Sequence, residues 1–113
     1  MEFGPTDVEI HAVSIAVELG DVGEAIEVGS GLDTSTLSLE RRARLKMDLG
    51  RAFAQRCQVG DSLGALLDAE GLSPDLIHTH VAARDAIQDL LLVAGRTAPS
   101  ELKGLADRAD ERP

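Results

Sequence analysis

An all-α fold is the prediction, and three observations carry it. Apolar residues make up 43% of the chain, but they are almost wholly Ala, Leu, Val and Ile, with Phe3 and Phe53 the only aromatics. Such a core favours closely packed helices over strands of β-branched and aromatic residues. Apolar positions recur at the helical period along most of the sequence. The breaks between these segments are short, which forces consecutive helices to lie side by side as antiparallel pairs. No strand of useful length is expected, and 113 residues suit one domain, 1–113.

The chain opens with "FGPTD", a turn in which Gly4-Pro5 argues against a helix and Thr6 or Asp7 can cap the first one. Val8, Ala12, Ile15, Ala16 and Leu19 mark that first helix, and Ile10, Val13 and Val17 give it a second apolar face. A helix apolar on two sides is packed between neighbours. In "ELGDVGEAIE" (18–27), Gly20 ends this helix in a left-handed conformation and Asp21 caps the next. The second helix covers 22–29, with Ala25 small enough for the two backbones to approach. "GSGLDTST" (29–36) reads as a loop.

A long third helix covers 38–56, capped by Ser38 with Glu40 in its first turn. One side carries Ala43, Met47, Gly50, Ala54 and Cys57, and another carries Leu45, Leu49, Ala52 and Phe53. "CQVGD" (57–61) is a turn, and a fourth helix with Leu63, Leu66, Leu67 and Ala69 ends at "GLSPD" (71–75). A fifth helix over 79–94 shows Ile87, Leu90, Leu91 and Ala94. After a loop, a closing helix over 99–110 carries Leu102, Leu105, Ala106 and Ala109. The expected plan is about six helices: hairpins at 7–32 and 39–71, then the helices 79–94 and 99–110.

Composition narrows the function. The formal net charge of −9 disfavours a duplex-binding surface, which needs clustered Lys and Arg. The charge is uneven: residues 1–39 hold Glu2, Asp7, Glu9, Glu18, Asp21, Glu24, Glu27 and Asp33 without one Lys or Arg, and "ERRARLK" (40–46) comes next. An acidic hairpin beside a basic helix is either self-complementary or leaves the basic helix for a partner. No apolar run reaches the length of about 18 residues that spans a bilayer. "MEFGPTD" lacks the basic and apolar regions of a secretory leader. Cys57 is the only cysteine, so a cytoplasmic setting is expected.

The hairpins repeat. "LGRAFAQRCQVGDSLGALLDAEGLSP" (49–74) has Leu49-Gly50, Phe53, Ser62, Leu66, Ala69 and Pro74 at a spacing that resembles the tetratricopeptide (TPR) repeat. Gly50 and Ser62 are small where two helices would cross, and Ala69 would admit the next hairpin. "VSIAVELGDVGEAIEVGSGLD" (13–33) resembles a second, degenerate copy. The TPR resemblance implies hairpins stacked as a short right-handed superhelix. More narrowly, "FGPTDVEIHAVSIAVELGDVGEA", "ERRARLKMDLGRAFAQR" and "HTHVAARDAIQDLL" resemble the C-terminal half of actinobacterial XRE-type helix-turn-helix regulators. Here Asp7 stands where that family suggests Asn, and Cys57 where it suggests Gly. The resemblance implies a sensing or dimerisation domain whose DNA-binding partner domain is not in this chain.

Chemical motifs are sparse. "GSG" (29–31) lacks the strand and third glycine of a dinucleotide site and reads as a helix end. His78 and His80 are two apart, not the three or four that places two ligands on one helix face, so no metal or other cofactor is expected. Capping or groove-lining suits His11 and His80 better. Cys57 has no accompanying base and is expected in a turn. No catalytic constellation is present, and the chain is expected not to be an enzyme.

The best functional candidate is a polar comb on the third helix: Arg44, Asp48, Arg51 and Gln55, spaced four, three and four. In a TPR stack the first helices of successive hairpins line a concave groove. Asp7, His11, Ser14 and Glu18 would then flank the comb on one side, and His78, Val81, Asp85 and Gln88 on the other. The comb is either such a groove or a solvated face with internal salt bridges. On either reading Arg44→Ala with Arg51→Ala is expected to spare the core, and Gly50→Ala to be mild. The expected function is a protein- or peptide-interaction domain that does not itself bind nucleic acid. A small-molecule sensor and a purely structural oligomerisation domain, including a homodimer, are the alternatives.

Overall fold

A computed structural model describes residues 5–110, with side chains described for 10–109. All elements among them are helical: α1 (Pro5–Glu18), α2 (Val22–Ser30), α3 (Leu39–Gln55), α4 (Val59–Leu72), α5 (Pro74–Thr79), α6 (Val81–Ala94), a 3₁₀ turn (Gly95–Thr97) and α7 (Ser100–Asp110). The all-α prediction holds. Seven α-helices form where six were expected, because residues 74–79 make a helix of their own. Pro74 starts it at a position where a missing N–H costs nothing. His80, with extended backbone, ends it and begins α6. Pro5 likewise opens α1 rather than lying in a preceding turn. The predicted caps Thr6 and Asp7 fall inside that helix, and their side chains lie outside the described residues.

Two consecutive hairpins close with the same turn. At the end of α1, Gly20 has φ +81°, its N–H bonds the Val17 carbonyl at 3.1 Å, and the Asp21 N–H bonds the Ala16 carbonyl at 2.8 Å. At the end of α3, Cys57 takes the left-handed position with φ +59°. Its N–H bonds the Ala54 carbonyl at 2.9 Å, and the Gln58 N–H bonds the Phe53 carbonyl at 3.0 Å. This bonding pattern satisfies the last carbonyls of each helix. Asp21 therefore contributes main chain to the turn, and its side chain makes no cap bond to α2. The second turn is tighter than the sequence suggested, since α4 already starts at Val59.

The helix crossings use small residues. Ala25 and Ser62 are both wholly buried, one in each hairpin. The Ser62 hydroxyl donates to the Gly50 carbonyl at 2.6 Å. A Cβ on Gly50 would lie 2.7 Å from Leu66 Cγ, so only glycine fits this approach without movement. The Gly50–Ser62 contact expected from the sequence is thus present. Gly29, expected where the second helix gives way to the loop, is buried inside α2, and a Cβ there would meet Leu49 Cδ2 at 2.8 Å.

α3 is the spine between two apolar clusters. Val13, Val17, Ala25, Leu45, Leu49 and Ala52 join α1 and α2 to one side of it. Met47, Leu66, Ile77, Ile87, Leu90, Leu102 and Leu105 join α4, α5, α6 and α7 to the other. Ser38 caps α3 as predicted, accepting from the Arg41 N–H at 3.2 Å. The result measures 45 × 30 × 20 Å.

Candidate functional site

The polar comb is built on α3, but its centre is not solvated. Asp48 is wholly buried. Its carboxylate accepts from Arg51 Nη1 at 3.0 Å and from Arg44 Nε at 3.4 Å, partners three and four residues away on the same helix. Both arginines also reach across to α1. Arg51 Nη2 donates to Glu18 Oε1 at 2.7 Å, and Arg44 Nη2 donates to Ser14 Oγ at 3.3 Å. Five of the predicted residues, Ser14, Glu18, Arg44, Asp48 and Arg51, therefore form one network that fastens α1 to α3.

The energetics of the network are set by burial. A buried carboxylate is tolerated only when it is paired and hydrogen-bonded. Asp48 meets that condition through two guanidinium groups. Only 13% of the Arg51 side chain is exposed. Burial opposes its charge, and hydrogen bonds to Glu18 and Asp48 outweigh that cost and hold its pKa above the ordinary value. The same hydrogen bond, reinforced by the charge of Arg51, lowers the pKa of Glu18. Truncating both arginines would strand a buried anion, so the expectation that the pair is dispensable for the core is corrected. The acidic first hairpin and the basic third helix are to this extent self-complementary.

An open cleft of about 370 Å³ lies beside this network. α1 contributes Glu18, α3 contributes Arg51, Ala54 and Gln55, and the start of α6 contributes His80, Val81, Ala82, Asp85, Ala86 and Asp89. His80 is positioned by its own capping bond, Nδ1 accepting from the Ala82 N–H at 3.1 Å. Asp85 and Asp89 are exposed and four residues apart, so they share one face of α6. With Glu18 they give the cleft three carboxylates. Its one guanidinium, Arg51, is already held by Glu18 and Asp48. The cleft thus offers anionic acceptors and is suited to a cation.

The other predicted residues divide. His11 is exposed and shares the helical register of Ser14 and Glu18. The Asp7 side chain lies outside the described residues. Gln88 is exposed on α6 but does not line the cleft. His78 faces elsewhere: its Nε2 is 2.6 Å from Glu70 Oε2. Arg108 of α7 grips the same carboxylate with two bonds of 2.8 and 2.7 Å. The Arg108 hydrogen bond is the main cause of a lowered Glu70 pKa, and burial partly opposes it. Sequence reasoning grouped His78 with Val81, Asp85 and Gln88 beside the comb, but His78 belongs to α5 and pairs with Glu70 instead.

Glu70 and Arg108 were not singled out, and nothing local marks a pair so distant in the chain. Asp89 had a readable signal, its four-residue spacing from Asp85. Among the described residues no three His, Cys, Asp or Glu side chains gather at a metal-sized spacing, and no helix is long and apolar enough to cross a membrane. Set beside known proteins, the chain matches no family model, no curated protein and no solved structure.

Proposed function

We propose that this chain is a non-enzymatic interaction domain that receives a basic peptide segment of a partner protein in the cleft between α1, α3 and α6. The carrying observation is the charge of that cleft. Glu18, Asp85 and Asp89 line it, and its only guanidinium is already engaged by carboxylates of the chain itself. The cleft is open, which suits an extended partner better than a small molecule, whose sites are enclosed and mostly apolar. The TPR-like sequence spacing supports the same reading, since stacked hairpins present such concave faces. So does the resemblance to XRE-type regulators, which implies the cytoplasmic sensing or dimerisation part of a regulator, with DNA contacts supplied by another domain. The net charge of −9 fits a chain that leaves nucleic acid alone.

The test is a fluorescence anisotropy titration with a labelled Lys- and Arg-rich peptide. Asp85→Asn with Asp89→Asn is expected to weaken binding at least about tenfold, a change of roughly 1.4 kcal/mol. Added salt should weaken it further, and the melting curve should not move because both residues are exposed. Unchanged affinity in the double variant would remove the cleft from the proposal. Mixed-sequence duplex DNA should bind no tighter than the micromolar range of non-specific contacts.

A further inference from the structure

The outward edge of α1 carries a second surface, separate from the cleft. We propose that it docks an amphipathic helix of a partner whose apolar stripe is flanked by Lys or Arg. Ala12, Ile15 and Leu19 are spaced three and four apart and so form one ridge along the helix. All three are exposed, Ile15 at 48% and Leu19 at 78%. The opposite side of α1 is fully used, with Val13, Ala16 and Val17 buried against α2 and α3. A helix apolar on two sides calls for neighbours on both. Among the described residues, neighbours pack on one side only.

Charge decides what covers the other side. Clear of the cleft, the α1–α2 hairpin exposes Asp21, Glu24 and Glu27, and no Lys or Arg lies between residues 1 and 39. Among the described contacts, Arg44 reaches Ser14, Arg51 reaches Glu18, and the Arg56 guanidinium lies at Gly23. None belongs to the outward ridge. A second copy meeting this one symmetrically would set an acid-only hairpin against itself, and like charges juxtaposed across an interface oppose association. A basic amphipathic helix avoids that repulsion. Its apolar stripe packs on the ridge as helices do in grooves, and its flanking cations meet the carboxylates and speed the encounter.

A labelled helical peptide with a Leu stripe and Lys flanks tests this. A scrambled peptide of the same composition and a peptide with Glu flanks serve as controls. The Lys-flanked helix should bind, shift the backbone amide resonances of residues 12–19, and bind at least tenfold tighter than either control. Ile15→Ser with Leu19→Ser should weaken it at least tenfold with the melting curve unchanged, because both side chains are exposed. The cleft variant Asp85→Asn with Asp89→Asn should bind it as the wild type does, which keeps this proposal distinct from the preceding one. Equal binding of the scrambled or Glu-flanked peptide would overturn the proposal. So would shifts confined to the cleft, or a wild-type dimer in sedimentation that the Ile15, Leu19 variant turns into a monomer.

Discussion

A carboxylate held between two basic side chains occurs on each side of the molecule, in two settings. On the α1 side, Asp48 sits between Arg44 and Arg51 with none of its side chain exposed. On the α7 side, Glu70 sits between His78 and Arg108 with 15% exposed. Asp48 takes its cations from its own helix, one turn away on either side, and the arginines then reach α1. Glu70 takes the His78 ring from α5 and the Arg108 guanidinium from α7. The first carboxylate is therefore a buried anchor that must stay paired. The second is a clasp near the surface, where pairing adds little. Burial, not the number of partners, sets how much each one matters.

Substitution on the shared spine is expected to harm both sides. Gly50→Leu puts a branched side chain where even a Cβ would stand 2.7 Å from Leu66 Cγ. It should cost about 3 kcal/mol or more, at the upper end of overpacking effects. Gly50→Ala should cost about 1–3 kcal/mol in denaturant unfolding despite the better helix propensity of Ala, because Leu66 is wholly buried and has little room to give.

Arg51→Ala breaks the first side alone. Losing one partner of a buried ion pair costs roughly 3–5 kcal/mol, and Arg44 remains, so about 2–3 kcal/mol is expected. Hydrogen exchange should then accelerate in α1 and α2 before α6 and α7. A uniform loss of protection would show that the two sides unfold as one.

Glu70→Gln tests the clasp and should cost only about 1 kcal/mol, with α7 exchanging first. It also carries a pH dependence. The folded-state pKa of Glu70 lies below its ordinary value, so the unfolded chain binds the proton more readily. This contribution is fully present above the ordinary Glu pKa of about 4.3 and is lost as the pH falls through the lower folded value. Melting curves from neutral pH down to about pH 3 should show a shallower acid decline in Glu70→Gln than in the wild type. An identical decline would leave the clasp without a part in acid stability.

The smallest effect is a gain. Cys57 holds a left-handed conformation that glycine adopts freely, as Gly20 does in the matching turn. Cys57→Gly should stabilise the chain by up to about 1 kcal/mol. A loss would mean that the thiol makes a contact worth more than the strain.

Much of this was legible in the residues. Helical periodicity and the Gly20-Asp21 break gave the helices, because a helix face is a local repeat. The comb Arg44, Asp48, Arg51 and Gln55 was legible for the same reason. The break at His80 was not, since "PDLIHT" and the segment after it are both helix-compatible, and the extended backbone and capping ring of His80 separate them. His78 was misplaced as well. Cys57 was expected in a turn, and it takes that turn's left-handed position.

By itself, then, the sequence determined that the chain is helical, where the hairpins turn, and which polar residues share a face of α3. Each depends on spacings of a few residues, fixed by the helical period and by the conformational range of single residues. Tertiary structure alone decided the rest: that Asp48 is buried, that Glu70 meets Arg108, and that Ile15 and Leu19 stay uncovered. Those facts depend on how much water each helix face loses when distant segments pack, a quantity no local spacing contains.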